Sequence, residues 1–300
     1  MLKSIIGHTK NINILKKSYN IKFPQSWIFF GAKGVGKFLA ARIFARWIIN
    51  KQFTDFENNE SKFISNIFEI NTNDNLVSGI DDIREIMKEM VLTNLNEGEK
   101  IIIFDNFDYL NINSMNALLK NIEEPKEKII IIIICHNIYK IPKTITSRCQ
   151  KLYFNNLTKE EFSTFVSNNN YLEINNSHPN LFDLCDGRPG LLKFVDEINI
   201  TETFNHIDKM MNEKELDYEK LFKISEKYKK DPYIIDYFIK YYLYNITKKN
   251  LLKNLDDLKY FKDVINFFSI LNHQIKFDLN FDIKNYITSL FLGFIKVIRN

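Results

Sequence analysis

The stretch GAKGVGKF, residues 31–38, follows the apolar run SWIFF and precedes a segment with apolar residues at helical spacing. The first six of these residues contain three of the nine glycines of the chain, Gly31, Gly34 and Gly36. Glycines at such a strand-to-helix turn let backbone N–H groups point at phosphate oxygens, and Lys37 would reach the β- and γ-phosphates of a nucleotide. The stretch therefore predicts a phosphate-binding loop, in which Phe38 replaces the magnesium-binding Ser or Thr.

Strand and helix signals alternate on both sides of this loop. Short apolar runs occur at SWIFF (26–30), KIIIFD (100–105) and KIIIIIIC (128–135), with helical or turn-like sequence between them. This alternation predicts an α/β fold of the P-loop type, with a parallel sheet covered by helices. The six consecutive isoleucines predict a strand that is buried on both faces.

The strand-like segments end before residue 158. There Thr158 is followed three residues later by Glu161, which is a capping-box signature for the start of a helix. From this point to the end of the chain the periodic segments are all helical. We therefore expect three domains: a nucleotide-binding-type domain over 1–157, a small helical lid over 158–200 and a helical C-terminal domain over 201–300.

The composition is that of an ordinary globular chain. Its 300 residues are 45% hydrophobic and 26% charged, and the net charge of +4 falls short of the strongly basic character of dedicated nucleic-acid binders. Cys135, Cys149 and Cys185 are too few and too widely spaced for a disulfide framework or a four-cysteine zinc site. We find no signal peptide and no apolar stretch of membrane-spanning length, so we expect a cytoplasmic protein without membrane attachment.

Asp105 and Asn106 end the second apolar run. An acid at the end of a buried strand beside a phosphate loop commonly holds magnesium in P-loop proteins. Hydrolysing ATPases of this kind carry Glu at the next position, whereas Asn106 can bond a water molecule but cannot accept its proton. Positions 38 and 106 have thus both lost a group that hydrolysis requires. We expect weak binding of ATP or ADP, or none, at a degenerate site formed by Gly31, Gly34, Gly36, Lys37 and Asp105.

Two segments carry a family resemblance. FDNFDYLNINSMNALLKNIEEP (104–125) and TITSRC (144–149) resemble the clamp-loader subunits of bacterial DNA polymerase III, which are members of the AAA+ superfamily. The resemblance extends over residues 5–160 and, more loosely, through LCDGRPGLLKFV (184–195). It is greatest to the delta-prime type of subunit, in which the phosphate loop is typically degraded in this way. It implies an AAA+ core, a helical lid and an all-α C-terminal domain that joins a collar of subunits.

TITSRC preserves Ser147, Arg148 and Cys149. The resemblance implies that Arg148 projects toward the nucleotide of a neighbouring subunit and acts there as an arginine finger. A guanidinium supplied in trans spreads positive charge over the phosphoryl transition state and is worth about 10³–10⁵ in rate. Without the resemblance, Arg148 would be interpreted as an arginine in a surface or interface ion pair.

The sequence also departs from the motor subunits of the family. Those subunits carry a four-cysteine zinc module after the phosphate loop, and this chain has no cysteine between residues 38 and 100, so we expect no zinc. Their γ-phosphate-sensing residue falls at Cys135 or His136, and we interpret His136 as a polar residue at a strand end. Their lid arginine aligns with Gly190 and not with the nearby Arg188, so GRPG is expected to form a turn at a helix start.

Adjacent acids Glu123 and Glu124 precede Pro125. Neighbouring residues on a helix point about 100° apart, so we interpret this pair as a solvated helix end and not as two catalytic carboxylates.

The resemblance implies a non-hydrolysing, delta-prime-like subunit of a hetero-pentamer that sets the sliding clamp on primer–template DNA. Expected partners are gamma/tau and delta subunits, with the clamp and DNA contacted within the complex. Two alternatives stay open. The chain would be a gamma/tau-like motor that binds and hydrolyses ATP, or a P-loop kinase or other small-molecule enzyme, for which the sequence shows neither substrate pocket nor base.

Overall fold

The computed structural model describes most of the first two hundred residues and one long helix beyond them. The described residues are 5–21, 24–50, 66–72, 80–92, 99–124, 128–169, 171–178, 180–198 and 232–253, with single positions at 219, 262–263, 266, 285–286 and 289. The chain divides into two compact units, Met1–Leu192 and Lys193–Asn300. The predicted boundary after residue 157 lies inside the first unit, and the three-domain division stays a prediction.

Five parallel strands form the sheet of the first unit. They are β1 Ser26–Phe30, β2 Ile67–Asn71, β3 Lys100–Asp105, β4 Ile129–Cys135 and β5 Gln150–Tyr153. Their spatial order is β2-β3-β4-β1-β5, and every neighbouring pair is parallel. The predicted parallel sheet is confirmed.

The sheet separates two hydrophobic clusters, one on each face. Alternation along β3 places Ile102 and Phe104 in the first cluster and Ile101 and Ile103 in the second. Every residue of β4 is buried, as the six-isoleucine run predicted. Each such side chain gains about 1.5–3 kcal/mol by leaving water, which explains why a strand without polar residues occupies the middle of the sheet.

Helices cover the sheet and continue beyond it. In the first 157 residues they are α1 Thr9–Ile21, α2 Lys37–Asn50, α3 Ile80–Leu92, α4 Ile112–Asn116, α5 Leu119–Glu123 and α6 Lys143–Thr146. Later in the chain they are α7 Lys159–Asn168, α8 Leu172–Ser177, α9 Leu181–Cys185, α10 Leu192–Ile198 and α11 Pro232–Lys253. Three single turns of 3₁₀-helix lie at Phe107–Tyr109, Ile138–Lys140 and Pro189–Leu191.

The predicted capping box begins α7. The Thr158 side chain accepts a hydrogen bond from the Glu161 backbone N–H, and the Glu161 carboxylate accepts one from the Thr158 backbone N–H. Beyond Tyr153 the described residues form helices and turns and no strand. Those described beyond residue 200 are all helical, and the rest of the predicted collar lies outside the described residues. Among the described helices, none is both long and apolar enough to cross a bilayer.

The parallel arrangement brings four strand ends to one edge of the sheet. Phe30 pairs with Cys135, and Asn71 pairs with Asp105. The residues that follow these strands therefore meet at this edge, where open α/β sheets place their ligand sites. They include the glycine-rich loop after β1 and His136 after β4.

Candidate functional site

The glycine-rich loop requires its glycines for reasons of backbone geometry. Gly31, Gly34 and Gly36 have φ angles of 146°, 88° and 100°, which residues with a β-carbon rarely adopt. A β-carbon on Gly31 would also lie 2.3 Å from the carbonyl oxygen of Phe154. The fold alone therefore accounts for glycine at these positions.

Lys37, the first residue of α2, directs its amino group back into this loop. The side chain is buried, with 4% of the residue exposed. Its Nζ donates to the carbonyl oxygens of Gly31 and Ala32, at 2.8 Å each, and lies 3.1 Å from Nδ1 of His136. An ammonium group has three N–H donors, so these contacts use all of them. Burial lowers the pKa of Lys37 to about 8, and the negative charge of Asp105 acts in the opposite direction.

His136 passes the hydrogen bonding on to Asn106. An ammonium group can only donate, so Nδ1 of His136 accepts from Lys37, and Nε2 therefore carries the ring proton. Nε2 lies 2.9 Å from Oδ1 of Asn106, to which it donates. Burial, together with the charge of Lys37, lowers the pKa of His136 to about 2. The ring is therefore neutral at physiological pH.

Asn106 completes a chain of hydrogen bonds along the strand ends. It has a left-handed φ of 58°, and its Nδ2 donates to Oδ1 of Asn71 at 2.9 Å and to Oδ2 of Asp105 at 3.3 Å. Asp105 Oδ1 accepts from the Asn106 backbone N–H at 2.9 Å, while burial raises the pKa of Asp105. We call these five residues the strand-end network: Lys37, His136, Asn106, Asp105 and Asn71.

The turn before α10 lies directly on the phosphate loop. The backbone N–H of Gly190 donates to the carbonyl oxygen of Gly34 at 2.8 Å. A β-carbon on Gly190 would lie 2.8 Å from Cα of Gly34, a distance that real β-carbons essentially never show. Glycine is therefore required at position 190 by the close approach of two backbone segments. On the N-terminal side, Nε2 of His8 lies 2.8 Å from the carbonyl oxygen of Val35.

The predicted turn at GRPG is confirmed. Pro189–Leu191 forms a turn of 3₁₀-helix, and α10 starts at the next residue. Arg188 is buried, and its Nε donates to the carbonyl oxygen of Cys185 at 3.3 Å. Arg188 thus contributes to packing at the end of α9.

Phe38 belongs to the packing of α2. Its ring is partly buried against the second hydrophobic cluster, and the guanidinium carbon of Arg42 lies 5.4 Å from the ring centroid. Arg42 in turn forms an ion pair with Glu69 on β2, with Nε 2.6 Å from Oε1.

These residues do not fit the magnesium–nucleotide site of a hydrolysing P-loop enzyme. Phe38 provides no oxygen for the metal, and Asn106 provides an amide where a carboxylate would have to accept a proton. In this structure Nζ of Lys37 contacts the loop itself and His136. The assignment of Gly31, Gly34, Gly36, Lys37 and Asp105 as weak nucleotide ligands stays a prediction.

Arg148 lies at the surface, just after α6. Its neighbours Ile145 and Cys149 are buried in the first hydrophobic cluster, and burial raises the pKa of the Cys149 thiol to about 12. Between these two anchors, 42% of the Arg148 side chain is exposed. Nη1 donates to the carbonyl oxygen of Thr144 at 2.8 Å and to Oγ of Ser147 at 3.3 Å. Among the described residues, Arg148 contacts α5, α6 and Ser147, so the structure does not bring it together with the strand-end network.

Glu123, at the end of α5, has a partner that the sequence interpretation missed. Its Oε1 lies 2.8 Å from Nε of Arg148, and the two side chains are similarly exposed. The interpretation of Glu123 as a solvated residue was therefore incomplete. The two residues are 25 positions apart, Glu123 at the end of α5 and Arg148 just after α6. No local sequence pattern relates them, so the tertiary structure was needed to find this pair.

Comparison with known proteins places the chain in a family. A family model described as DNA polymerase III, delta subunit, matches residues 7–158, half of the chain. The chain belongs to this family. It is 35% identical over 149 residues to the DNA polymerase III subunit tau of Bacillus subtilis. It is 29% identical over 174 residues to the DNA polymerase III subunit gamma of Buchnera aphidicola subsp. Schizaphis graminum.

The match to these relatives of the DNA polymerase III family is partial. The alignments cover 46% and 55% of this chain and 26% and 47% of the relatives, so the chain spans about a quarter to a half of their length. A solved structure of a DNA polymerase III gamma subunit-related protein from Thermotoga maritima is similar with a TM-score of 0.50 and 15% identity. The structural match covers 94% of this chain and 98% of the Thermotoga maritima chain. This likeness shows the fold, and the predicted α/β P-loop fold of AAA+ type is confirmed.

Proposed function

We propose that the chain is a non-hydrolysing subunit of the bacterial DNA polymerase III clamp loader, of the delta-prime type. In this proposal Arg148 acts in trans on ATP that is bound by a neighbouring subunit. The partners are gamma/tau and delta subunits, and the assembly acts on the sliding clamp and primer–template DNA. Membership of the DNA polymerase III delta-subunit family supports this proposal, and the relatives named gamma and tau support its coarser part, a subunit of DNA polymerase III.

The observation that carries the proposal is a contrast between two cationic side chains. Lys37, which would have to contact the nucleotide of this chain, is buried and bonded to its own loop and to His136. Arg148, which would contact the nucleotide of a neighbour, is exposed. In this chain the lysine of the phosphate loop is thus bonded internally, whereas Arg148 presents a cation at the surface.

The loss of hydrolysis follows from the groups that are missing. Water must be deprotonated as it attacks the γ-phosphate, and Asn106 cannot act as that base. Asn106 also donates to Asn71 and Asp105 and accepts from His136, so its amide is held by the strand-end network. Phe38 cannot replace the hydroxyl that would bind magnesium.

Arg148 has the properties that action in trans requires. The side chain follows a short helix whose position is set by the buried residues Ile145 and Cys149. A guanidinium held in this way meets the developing negative charge of the transferred phosphoryl group without large rearrangement. It would stabilise that charge in the neighbour's site, with an effect of about 10³–10⁵ in rate in related systems.

A second candidate function is that of a gamma/tau-like motor that itself binds and hydrolyses ATP. The relatives favour it, because those at 35% and 29% identity are named as tau and gamma subunits. This candidate requires that a nucleotide displace the internal contacts of Lys37. It predicts that the isolated full chain binds ATP, which equilibrium dialysis with labelled ATP measures directly.

The proposed function is tested with the reconstituted clamp loader that contains this chain. The clamp- and DNA-stimulated ATPase rate of the complex is compared between the wild type, Arg148→Ala and the control Arg84→Ala. Arg84 lies in α3, where it forms an exposed ion pair with Asp81. Assembly of each complex is checked by gel filtration.

A large fall in turnover for Arg148→Ala alone, with assembly intact, supports action in trans. Unchanged turnover for Arg148→Ala in an intact complex overturns it. Tight ATP binding by the isolated chain would favour the motor candidate.

A further inference from the structure

We infer that Glu123 is a positioning residue for Arg148: it orients the guanidinium so that one terminal nitrogen faces outward for a phosphate oxygen of a neighbouring subunit. The inference rests on the proposed function of Arg148 and adds to it a second residue, at the end of α5. Glu123 itself touches neither the nucleotide nor the reacting atoms in this proposal.

The contacts described for Arg148 involve two of the three nitrogen atoms of its guanidinium group. Nε lies 2.8 Å from Oε1 of Glu123, and Nη1 donates to the carbonyl oxygen of Thr144 and to Oγ of Ser147. Within the part of the chain that the structure describes, these contacts involve Nε and Nη1, which leaves Nη2 as the nitrogen directed to an incoming anion. A planar guanidinium that is held at two nitrogens has a defined direction for the third.

Both partners of the ion pair are attached to the same hydrophobic cluster. Glu123 follows the buried Ile122 at the end of α5, and Arg148 precedes the buried Cys149. The two helices that lead to these residues, α5 and α6, pack against one another. Their backbone positions are therefore set by core packing, and the short distance between Glu123 and Arg148 does not depend on two long side chains meeting in solvent.

The ion pair between Glu123 and Arg148 contributes little to folding stability. An ion pair whose members are both more than two-fifths exposed contributes little to the stability of a folded chain, because water screens it. Orientation is a different matter. A free arginine side chain loses rotamer freedom when it docks on a phosphate, and an arginine already held by Glu123 has lost part of that freedom beforehand.

A neutralising role and a positioning role of Glu123 predict different changes in turnover when its charge is removed. A carboxylate beside Arg148 reduces the positive potential that an anionic phosphate encounters. If Glu123 only neutralised Arg148, removing its charge would strengthen the attraction of Arg148 for phosphate, and turnover would rise or stay constant. If Glu123 positions Arg148, the same change lowers turnover.

The test uses the reconstituted clamp loader and measures kcat and KM for ATP separately. The variants are Glu123→Ala, Glu123→Gln and Arg148→Ala, and the double variant combines Glu123→Ala with Arg148→Ala. Glu124→Ala serves as the matched control, because Glu124 is the exposed acid next in sequence. Glu123→Gln keeps the side-chain length and an acceptor oxygen, so it reports on the charge in a complex whose assembly is verified by gel filtration.

We expect Glu123→Ala to lower kcat about two- to tenfold, the range that corresponds to ordering one arginine side chain. Glu123→Gln should recover part of this loss, Glu124→Ala should behave as the wild type, and KM should change little. The double variant should be no slower than Arg148→Ala alone, because Glu123 acts through Arg148.

Two results separate failure of this inference from failure of the proposed function. If Arg148→Ala lowers kcat and Glu123→Ala does not, the positioning role is wrong and the arginine finger stands. If Arg148→Ala has no effect in an intact complex, the proposed function and this inference both fail. A further decrease in kcat when Glu123→Ala is added to Arg148→Ala would also contradict a role through Arg148.

Discussion

The amino group of Lys37 lies 3.1 Å from Nδ1 of His136, and this contact joins the phosphate loop to the end of the central strand β4. In a nucleotide-bound loop the lysine faces phosphate oxygens. In this chain a neutral imidazole nitrogen and two carbonyl oxygens of the loop accept its three N–H groups.

Replacing Lys37 should destabilise the fold. Lys37→Met removes three hydrogen bonds from a charged donor, at about 1.5–3 kcal/mol each. The substitution also removes the cost of burying that charge. The lowering of the Lys37 pKa to about 8 corresponds to a cost of about 3 kcal/mol. Because the bonds outweigh the relief, we expect the free energy of unfolding in urea at neutral pH to fall by about 1–6 kcal/mol. Lys33→Met is the control within the same loop; equal stability of the Lys37 variant and the wild type would contradict the internal role of Lys37.

His136 should make the fold sensitive to acid. Its pKa is about 2 in the folded chain and 6.5 as the ordinary value, so between these pH values the unfolded chain binds the extra proton. Stability therefore falls as the pH is lowered, and the contribution of His136 amounts to about 2 kcal/mol between pH 7 and pH 5. The dependence is measured as the urea midpoint against pH.

The His136→Gln variant isolates this contribution. It should show a smaller loss of stability between pH 7 and pH 5 than the wild type, by the amount given above. His178→Gln is the matched control, because His178 is only partly buried and lies outside the strand-end network. Identical pH profiles for the wild type and His136→Gln would show that His136 is not held neutral.

ATP should stabilise the isolated chain only slightly. A ligand present at one hundred times its dissociation constant raises the free energy of unfolding by about 2.7 kcal/mol. For about 1 mM ATP with magnesium we expect less than about 0.4 kcal/mol, which corresponds to a dissociation constant of about 1 mM or weaker. The measurement is urea unfolding with and without the nucleotide, and sulfate at equal ionic strength controls for salt. Stabilisation near 2.7 kcal/mol would mean that the loop opens readily for ATP.

Gly190→Ala should disturb the contact between the Pro189–Leu191 turn and the phosphate loop. The added β-carbon would lie 2.8 Å from Cα and 2.9 Å from the carbonyl oxygen of Gly34, and both are backbone atoms that cannot rotate away. We expect a loss of about 1–3 kcal/mol in the free energy of unfolding, as for overpacked sites. Ser163→Ala, on the exposed side of α7, provides the control. A Gly190→Ala variant as stable as the wild type would show that this close contact can relax.

Local signals account for what could be predicted from the sequence. The buried isoleucine strand, the start of α7 at Thr158 and the strand-to-helix setting of the glycine loop each depend on residues close together in the chain. Hydrophobic periodicity and capping act over a few residues, which is why such features can be recognised without a structure. The contacts of the strand-end network could not be predicted in this way. Lys37 and His136 are 99 positions apart and meet only because β1 and β4 are neighbours in the sheet.

The chemical groups at three decisive positions follow from the amino-acid sequence alone: a phenyl ring at position 38, an amide at position 106 and a guanidinium at position 148. Those identities limit the chemistry of the chain wherever the residues lie. Which side chains contact one another depends on the fold. The parallel register brings His136 to the amino group of Lys37, and the packing of α5 against α6 brings Glu123 to Arg148. Hydrogen bonds and ion pairs act over about 3 Å, so residues far apart in sequence interact only where the fold brings them together.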